Sequence, residues 1–258
     1  MPSGYFPQLF ALVRGSFVVL GRRPSSPQPK QALRRLLWQT SGLAAVGTVV
    51  IIALMIWVDA WEIGLMPPRG APGLWPFRVL TDFGKDAYVL SVLFTMLLVA
   101  ALLVPRSRDH TRARLLRCAA RAGYLFLAVL VPVLIAEILK WGIGRGRPFV
   151  GGKANAFNFV PFAGSEAYFS LPSAHVVTAF ALASAIAAVW PRARVAMFGY
   201  AVMIAITRVV LLAHHPSDVV AGAVVGMIGA MWVHYWFAAR NIGLAIGQDS
   251  KIALLPAA

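Results

Sequence analysis

Six stretches of the sequence are apolar over about 17 to 21 residues each, which is the length that a helix needs to cross the core of a bilayer. Pro105 and Pro191 directly follow the second and the fourth stretch, where a proline is expected to end a helix. The pattern therefore predicts an all-α protein built as a bundle of six transmembrane helices. They occupy residues 43–60, 88–104, 124–140, 174–190, 195–213 and 219–239.

The two ends of the chain differ from this six-span domain, which covers residues 43–240. Within residues 1–42 a short apolar segment is interrupted by Arg14 and followed by the sequence GRRPSSP. A cleaved signal peptide would have a basic start and a small-residue cleavage site, so we favour an interfacial amphipathic helix followed by a linker. Residues 241–258 are predicted to form a cytoplasmic tail.

The composition narrows the class of protein further. Of the 258 residues, 59% are hydrophobic and only 13% are charged, which excludes a soluble globular domain. A chain this apolar also has more than enough surface to bury, which excludes disorder. The single cysteine, Cys118, rules out an internal disulfide and a cysteine-based zinc site.

The chain carries 24 Lys and Arg against 9 Asp and Glu, a net charge of +15 that in a soluble protein would suggest nucleic acid as a partner. In a six-span arrangement, however, two thirds of the basic residues fall on one side of the membrane. The positive-inside rule makes that side cytoplasmic and places both termini there. We therefore expect the lipid bilayer, and neither nucleic acid nor a required protein, as the partner. The basic residues placed on the cytoplasmic side are Arg14, Arg22, Arg23, Lys30, Arg34, Arg35, Arg106, Arg108, Arg112, Arg114, Arg117, Arg121, Arg192, Arg194, Arg240 and Lys251.

The other basic residues fall on the outer side, where ionisable groups at the edges of apolar spans are functional candidates. Lys140 and Arg147 lie seven residues apart, and the glycines between them predict an unwound turn that lets both cations converge on one anion. Lys140 could instead pair with Glu137. Arg145 and Lys153 are interpreted as rim charges.

Two further clusters precede the fourth and the sixth span. Ser173 is predicted to cap the fourth helix, a role that could be purely structural, and His175 lies in the first turn beside backbone N–H groups that favour an anion. Arg208 lies inside the apolar zone, six residues before His214, and so requires a partner. Asp218 is placed to reach a ring nitrogen of His214. The other histidines, His110, His215 and His234, are interpreted as interfacial side chains.

Three cations, two imidazoles, a carboxylate and a helix N-terminus thus reach the same outer ends of the last four spans. Such a set of groups can bind a tetrahedral oxyanion and act on it. One imidazole attacks while the carboxylate orients it, and the second protonates the departing oxygen. Two histidines and a carboxylate could also hold iron, but the surrounding cations disfavour a metal ion, and we expect no metal or other cofactor.

The order and spacing of these residues form three linked motifs, Lys140-x6-Arg147-Pro148, Pro172-Ser173-Ala174-His175 and Arg208-x5-His214-x3-Asp218. They resemble the three-part signature of the type 2 phosphatidic acid phosphatase superfamily of integral membrane lipid phosphatases. The resemblance implies that His214 forms a phosphohistidine, that Asp218 fixes and polarises His214, and that His175 is the acid for the leaving group. It also implies that Lys140, Arg147, Ser173, Arg208 and the backbone at Ala174 or His175 hold the phosphoryl oxygens.

The chain departs from the family pattern at two positions. The family usually has glycine where this chain has Ala174, and the added methyl group alters the closest approach of the phosphate. It usually has serine where this chain has Thr207, which keeps a hydroxyl group. Neither change removes a group that does chemistry, so an active enzyme is expected.

The resulting hypothesis is a metal-independent lipid phosphatase whose site opens at the outer membrane interface, which in a bacterial inner membrane faces the periplasm. By resemblance, the candidate substrates are undecaprenyl diphosphate, ranked first, then phosphatidylglycerophosphate or phosphatidate, and a lipid A phosphate. A lipid phosphotransferase on the same fold and a non-enzymatic protein that binds anionic lipids remain alternatives.

Substrate choice is expected to depend on residues 61–85 and on residues 149–171. The second segment is aromatic, which suits an apolar lid and equally suits anchoring at the membrane interface. Its aromatic residues are Phe149, Phe157, Phe159, Phe162 and Tyr168.

Overall fold

The computed structural model describes residues 4–25, 29–148, 150–151, 154–247 and 252–254, and helices dominate it. The expectation of a helical protein is therefore confirmed. A difference lies in the predicted C-terminal tail, where β1 (Leu244–Ile246) and β2 (Ile252–Leu254) pair antiparallel. Within these residues the helices are α1 (Tyr5–Leu20), α2 (Pro29–Trp57), α3 (Asp59–Leu65), α4 (Trp75–Asp82), α5 (Asp86–Leu103), α6 (Asp109–Ile143), α7 (Ala174–Val189), α8 (Arg194–Val210) and α9 (Pro216–Ala239).

Each predicted span overlaps one helix, and the apolar composition of these helices identifies an integral membrane protein. Five described segments are long and apolar enough to cross a membrane, whereas α7, the fourth predicted span, has only 16 residues. The number of six spans therefore stays a prediction. The five segments are Lys30–Trp57, Pro72–Arg106, Asp109–Ile143, Pro191–Val210 and Pro216–Ala239.

Two helices extend well beyond the apolar stretches that predicted them. Helix α2 begins at Pro29 and so runs through the expected boundary at residue 42, while α6 begins at Asp109 rather than near residue 124. The added segments are rich in arginine, leucine and alanine, which favour helix even where they are too polar for the bilayer core. Hydrophobicity therefore located these helices but not their polar ends.

Helix α7 is the centre of the bundle and packs against α6, α8 and α9. Glycines of α9 allow the two backbones to approach closely. A Cβ atom at Gly222 would lie 2.7 Å from the Ser173 carbonyl oxygen, and one at Gly226 would lie 2.5 Å from that of Val177. The GxxxG spacing of these two glycines thus permits close packing of α9 on α7, and this packing brings the N-terminal ends of the two helices together.

The opposite end of the bundle gathers the segments that carry most of the basic residues. The Tyr5 hydroxyl donates to the Leu102 carbonyl at 3.0 Å, and the Ser25 N–H donates to the Ala239 carbonyl at 2.8 Å. The Arg121 guanidinium lies 5.7 Å from the centre of the Trp190 ring. The basic segments and the candidate site therefore lie at opposite ends of the bundle.

Candidate active site

The first motif lies where α6 ends. Gly144 terminates the helix in a left-handed conformation (φ 59°, ψ 43°), and a side chain there would collide with the Val160 carbonyl. The unwound turn predicted between Lys140 and Arg147 is therefore present. Lys140 is buried in the last helical turn, and its Nζ donates to Glu137 Oε1 at 2.5 Å, which is the alternative contact considered for it.

The segment between α6 and α7 folds back onto this turn through backbone hydrogen bonds. The Arg147 N–H donates to the Ala167 carbonyl at 2.9 Å, and the Ser170 N–H donates to the Arg145 carbonyl at 3.1 Å. These bonds place Ser170 beside the first motif. Phe157 and Phe162 are exposed on this segment, which is compatible with a lid and with interfacial anchoring alike. Phe149 and Lys153 lie outside the described residues.

Ser173 occupies the N-cap position of α7 but does not act as a side-chain cap. Its side chain is wholly buried, and within the part of the chain that the structure describes its hydroxyl has no hydrogen-bond partner. The N–H groups of Ala174 and His175 are in the first turn, where a helix offers no carbonyl to accept them. The helix start therefore presents a hydroxyl and backbone donors that suit an anion.

Arg208 is buried in the last turn of α8 and contacts the segment between the first two spans. Its Nη1 donates to Thr81 Oγ1 of α4 at 2.8 Å. Thr81 is thus the partner that Arg208 was expected to have, although the sequence did not identify it. The neighbouring Thr207 hydroxyl donates to the Ile204 carbonyl of its own helix at 2.6 Å. The Thr207 hydroxyl is therefore engaged in a hydrogen bond within α8.

His214 follows α8 and is buried, with Ser170 closer to its ring than Asp218 is. The ring Nδ1 lies 2.8 Å from the Ser170 carbonyl oxygen and 3.9 Å from Asp218 Oδ2. Asp218 Oδ2 instead accepts hydrogen bonds from the Ser170 hydroxyl at 2.6 Å and the His215 N–H at 2.9 Å. The direct hydrogen bond expected between Asp218 and His214 is absent from these described contacts.

Arg145, interpreted from the sequence as a rim charge, is wholly buried, so that interpretation is wrong. Its Nη1 donates to Asp218 Oδ1 at 2.5 Å and its Nη2 donates to Asp59 Oδ2 at 2.8 Å. The Ser217 hydroxyl also donates to Asp59 at 2.5 Å. His215, expected at the interface, is wholly buried as well. We call Asp59, Arg145, Ser170, Ser217 and Asp218 the buried polar cluster.

The three predicted phosphate-binding cations converge on the two histidines. Arg208, Arg147 and Lys140 are all close enough to act electrostatically on both His214 and His175. Burial, followed by these three cations, holds the pKa of His214 well below its ordinary value. The imidazole is therefore neutral at pH 7, which is the form that can attack a phosphorus atom.

Glu62 of α3 is a further buried carboxyl group beside the cluster. Only 4% of the residue is exposed, and neither carboxylate oxygen has a hydrogen-bond partner among the described residues. Burial, together with the negative charges of Asp59 and Asp218, raises the pKa of Glu62 to about 7. The folded protein therefore binds a proton at Glu62 more tightly than the unfolded chain does.

This difference makes stability depend on pH. The free energy of unfolding should fall as pH rises from about 4.5 to about 7, because the folded state must then bury the charged carboxylate. Glu62→Gln removes this cost, so its Tm should exceed that of the parent protein by roughly 5 °C at pH 8 but match it near pH 4.5. Thermal unfolding in detergent at both pH values measures the effect. The exposed Glu166→Gln is the matched control, and an equal Tm for Glu62→Gln and the parent at pH 8 would contradict the assignment.

The fold and the site together define a class of protein, an integral membrane protein with one buried and one half-buried histidine near a candidate anion site. Residues 121–242 match the family model of the PAP2 superfamily, and this range contains all three motifs. A lipid A 1-phosphatase of Rhizobium etli is 37% identical over 152 residues, which is 58% of this chain and 65% of the relative. A lipid A 1-phosphatase of Rhizobium johnstonii is 37% identical over 194 residues, which is 74% of this chain and 77% of the relative.

The chain belongs to the PAP2 superfamily. The family predicted from the motifs is confirmed, and the predicted enzyme class, a lipid phosphatase, agrees with the names of both relatives. The alignment spans slightly less than two thirds of the Rhizobium etli protein. No solved structure matches the chain significantly.

Proposed function

We propose that the chain is a metal-independent phosphatase that removes a phosphate group from a membrane lipid through a phosphohistidine at His214. The observation that carries the proposal is the convergence of Lys140, Arg147 and Arg208 on a neutral, buried His214. Three cations surrounding a nucleophile attract a phosphate and repel a divalent cation. The unpartnered Ser173 hydroxyl adds a donor for a phosphoryl oxygen.

In the first step, the lone pair on His214 Nε2 forms a bond to phosphorus, and the bond from phosphorus to the lipid oxygen breaks. The negative charge of the bound phosphate offsets the surrounding cations and so allows His175 to be protonated. His175 then gives this proton to the leaving oxygen as a general acid. The cations and the N–H groups at the start of α7 stabilise the charge that develops on the phosphoryl oxygens. The product is a phosphoimidazole whose positive charge is balanced by the nearby Asp218.

In the second step, water attacks phosphorus and the bond to Nε2 breaks. His175, now neutral, accepts the proton from the attacking water, so that its two roles are complementary. His214 recovers its lone pair, and inorganic phosphate leaves. No metal ion takes part in either step.

The proposed site opens at the outer end of a six-span bundle. The basic segments at the opposite end support a cytoplasmic location for that end and for both termini. In a bacterial inner membrane the site would then face the periplasm. A lipid headgroup lying at that interface can reach it without leaving the bilayer.

For the substrate, we propose the 1-phosphate of a lipid A type glycolipid, because both relatives described above are named for that activity. This reverses the order reached from the sequence, in which undecaprenyl diphosphate came first. The isoprenyl diphosphate is now the second candidate, followed by phosphatidylglycerophosphate or phosphatidate. All of them present a phosphate at the end of a membrane-embedded lipid.

A panel of lipid phosphates tests the proposed function. The purified protein in detergent, without an acceptor lipid, is expected to release inorganic phosphate from lipid A 1-phosphate faster than from undecaprenyl diphosphate or phosphatidate. Release should be unchanged in EDTA. Loss of the phosphate from the donor lipid only when an acceptor lipid is present, with the phosphate found on that acceptor, would instead establish a phosphotransferase. Strong EDTA inhibition would establish a metal enzyme, and binding without turnover of any substrate would establish a lipid-binding protein.

A further inference from the structure

Ser170 makes three hydrogen bonds of 3.1 Å or less, each from a different atom, and they join the rest of the buried polar cluster to the histidine. Its N–H donates to the Arg145 carbonyl at 3.1 Å and its hydroxyl donates to Asp218 Oδ2 at 2.6 Å. Its carbonyl oxygen lies 2.8 Å from His214 Nδ1, closer than its hydroxyl oxygen, which lies 3.5 Å from the same nitrogen. The residue is wholly buried, so all three bonds form where water does not compete for the same groups.

The carbonyl contact determines which nitrogen of His214 carries the proton. A carbonyl oxygen can only accept a hydrogen bond, so Nδ1 must be the protonated nitrogen for this 2.8 Å contact to be favourable. Nε2 is then left with the lone pair that attacks phosphorus. The orientation and the tautomer of the imidazole are thus both set by a backbone atom of Ser170.

Asp218 is poorly placed to do the same directly. Its Oδ1 is held by Arg145 and its Oδ2 by the Ser170 hydroxyl and the His215 N–H, while His214 Nδ1 is 3.9 Å away. That separation is beyond hydrogen-bond distance. The Asp218 carboxylate instead accepts a hydrogen bond from the Ser170 hydroxyl, and the carbonyl oxygen of Ser170 contacts His214.

We infer that Ser170 is a positioning residue of the enzyme, and that Asp218 orients His214 through Ser170 rather than by a direct hydrogen bond. The inference rests on the proposed function, since it concerns how His214 is prepared to attack. Ser170 does not touch the substrate in this role. Its effect is on the rate of attack by His214 and not on the binding of the lipid.

Ser170→Ala tests the inference because it deletes the hydroxyl and leaves both backbone groups in place. We expect kcat for phosphate release to fall about 10- to 100-fold while KM stays within about twofold, since the cations that bind phosphate are untouched. Ser170→Thr, which restores a hydroxyl, should recover most of the loss. Ser107→Ala is the matched control, because it deletes a hydroxyl whose hydrogen bond to the Leu103 carbonyl is exposed at the basic end of the bundle, and it should not change kcat.

A double variant separates the two routes from Asp218 to His214. If Asp218 acts through Ser170, then Ser170→Ala should lower kcat little further in an Asp218→Asn background. If Asp218 acts directly on the imidazole, the two losses should multiply, which would overturn the inference. A kcat for Ser170→Ala equal to that of Ser107→Ala would overturn it as well.

Nitrogen NMR of protein labelled at its histidines measures the tautomer of the His214 imidazole. A purely structural role of Ser170 would leave this tautomer unchanged. The signals of His214, assigned by their loss in His214→Ala, should show Nδ1 protonated in the parent protein and a mixture of tautomers in Ser170→Ala. A parent protein protonated on Nε2 would disprove the inference even if Ser170→Ala did not fold. Undiminished turnover by His214→Ala would instead refute the proposed function, so the two failures are distinguishable.

Discussion

Replacement of His214 with alanine is expected to lower phosphate release by about a thousandfold or more, because the variant lacks the only proposed nucleophile. The three cations remain, so lipid phosphate should still bind. The substitution opens a small space in a buried site but removes no charge, since His214 is neutral at pH 7. The protein should therefore stay folded, as judged by its Tm and its elution in size-exclusion chromatography.

Two comparisons make this result specific. His110→Ala changes an exposed histidine at the basic end of the bundle and should leave the rate unchanged. His175→Ala should lose activity on a lipid phosphate but retain part of it on an aryl phosphate, whose leaving group needs no proton. His214→Ala should lose both activities, and brief incubation with labelled substrate should yield an acid-labile phosphoprotein only when His214 is present. Labelling of His214→Ala would rule out the proposed intermediate.

The sequence predicted the helices well because membrane spans depend on local composition. A run of about 20 apolar residues needs no information from the rest of the chain to be recognised as a helix. The boundaries were less accurate where a helix continues outside the bilayer. Helix α6 starts at Asp109 because its arginines and alanines favour helix in water, and hydrophobicity does not report this preference.

The motifs predicted the cations and histidines of the proposed anion site, and the structure brings Lys140, Arg147 and Arg208 within electrostatic range of both histidines. Their partners were harder to predict, because they are distant in sequence. Thr81, which binds Arg208, and Ser170, which contacts His214, belong to connecting segments whose paths follow from tertiary packing. Neither residue has a local signal, because serine and threonine are common in loops.

Asp59 did carry a signal that could have been used. It is one of only nine acidic residues in the chain and lies at the outer edge of the first predicted span. Arg208 was a candidate because ionisable groups in or at the edge of an apolar span are costly and therefore functional candidates. The same rule applies to Asp59. Pairing Asp59 with an outer-face cation would have suggested that one of the two arginines before Pro148 is buried.

Replacement of the two arginines of the first motif is expected to have different effects. Arg145 is wholly buried against Asp59 and Asp218, so Arg145→Ala leaves two buried carboxylates without their cation. Removing one partner of a buried ion pair costs about 3–5 kcal/mol, which should lower the Tm by roughly 10 °C. Arg147 is only half-buried and its Nε donates to the Glu166 carbonyl, so Arg147→Ala should lower the Tm little and raise KM instead.

The contrast between these two variants is informative because the residues are identical in type and two positions apart. Thermal unfolding in detergent and steady-state kinetics on the same preparations measure both effects. Arg145→Lys keeps the charge but cannot reach both carboxylates in the same way, so its Tm should fall between those of the parent and Arg145→Ala. If Arg145→Ala unfolds at the temperature of the parent, or if Arg147→Ala is the less stable of the two, Arg145 is not the cation that holds the two carboxylates in the fold. Its burial would then need another cause.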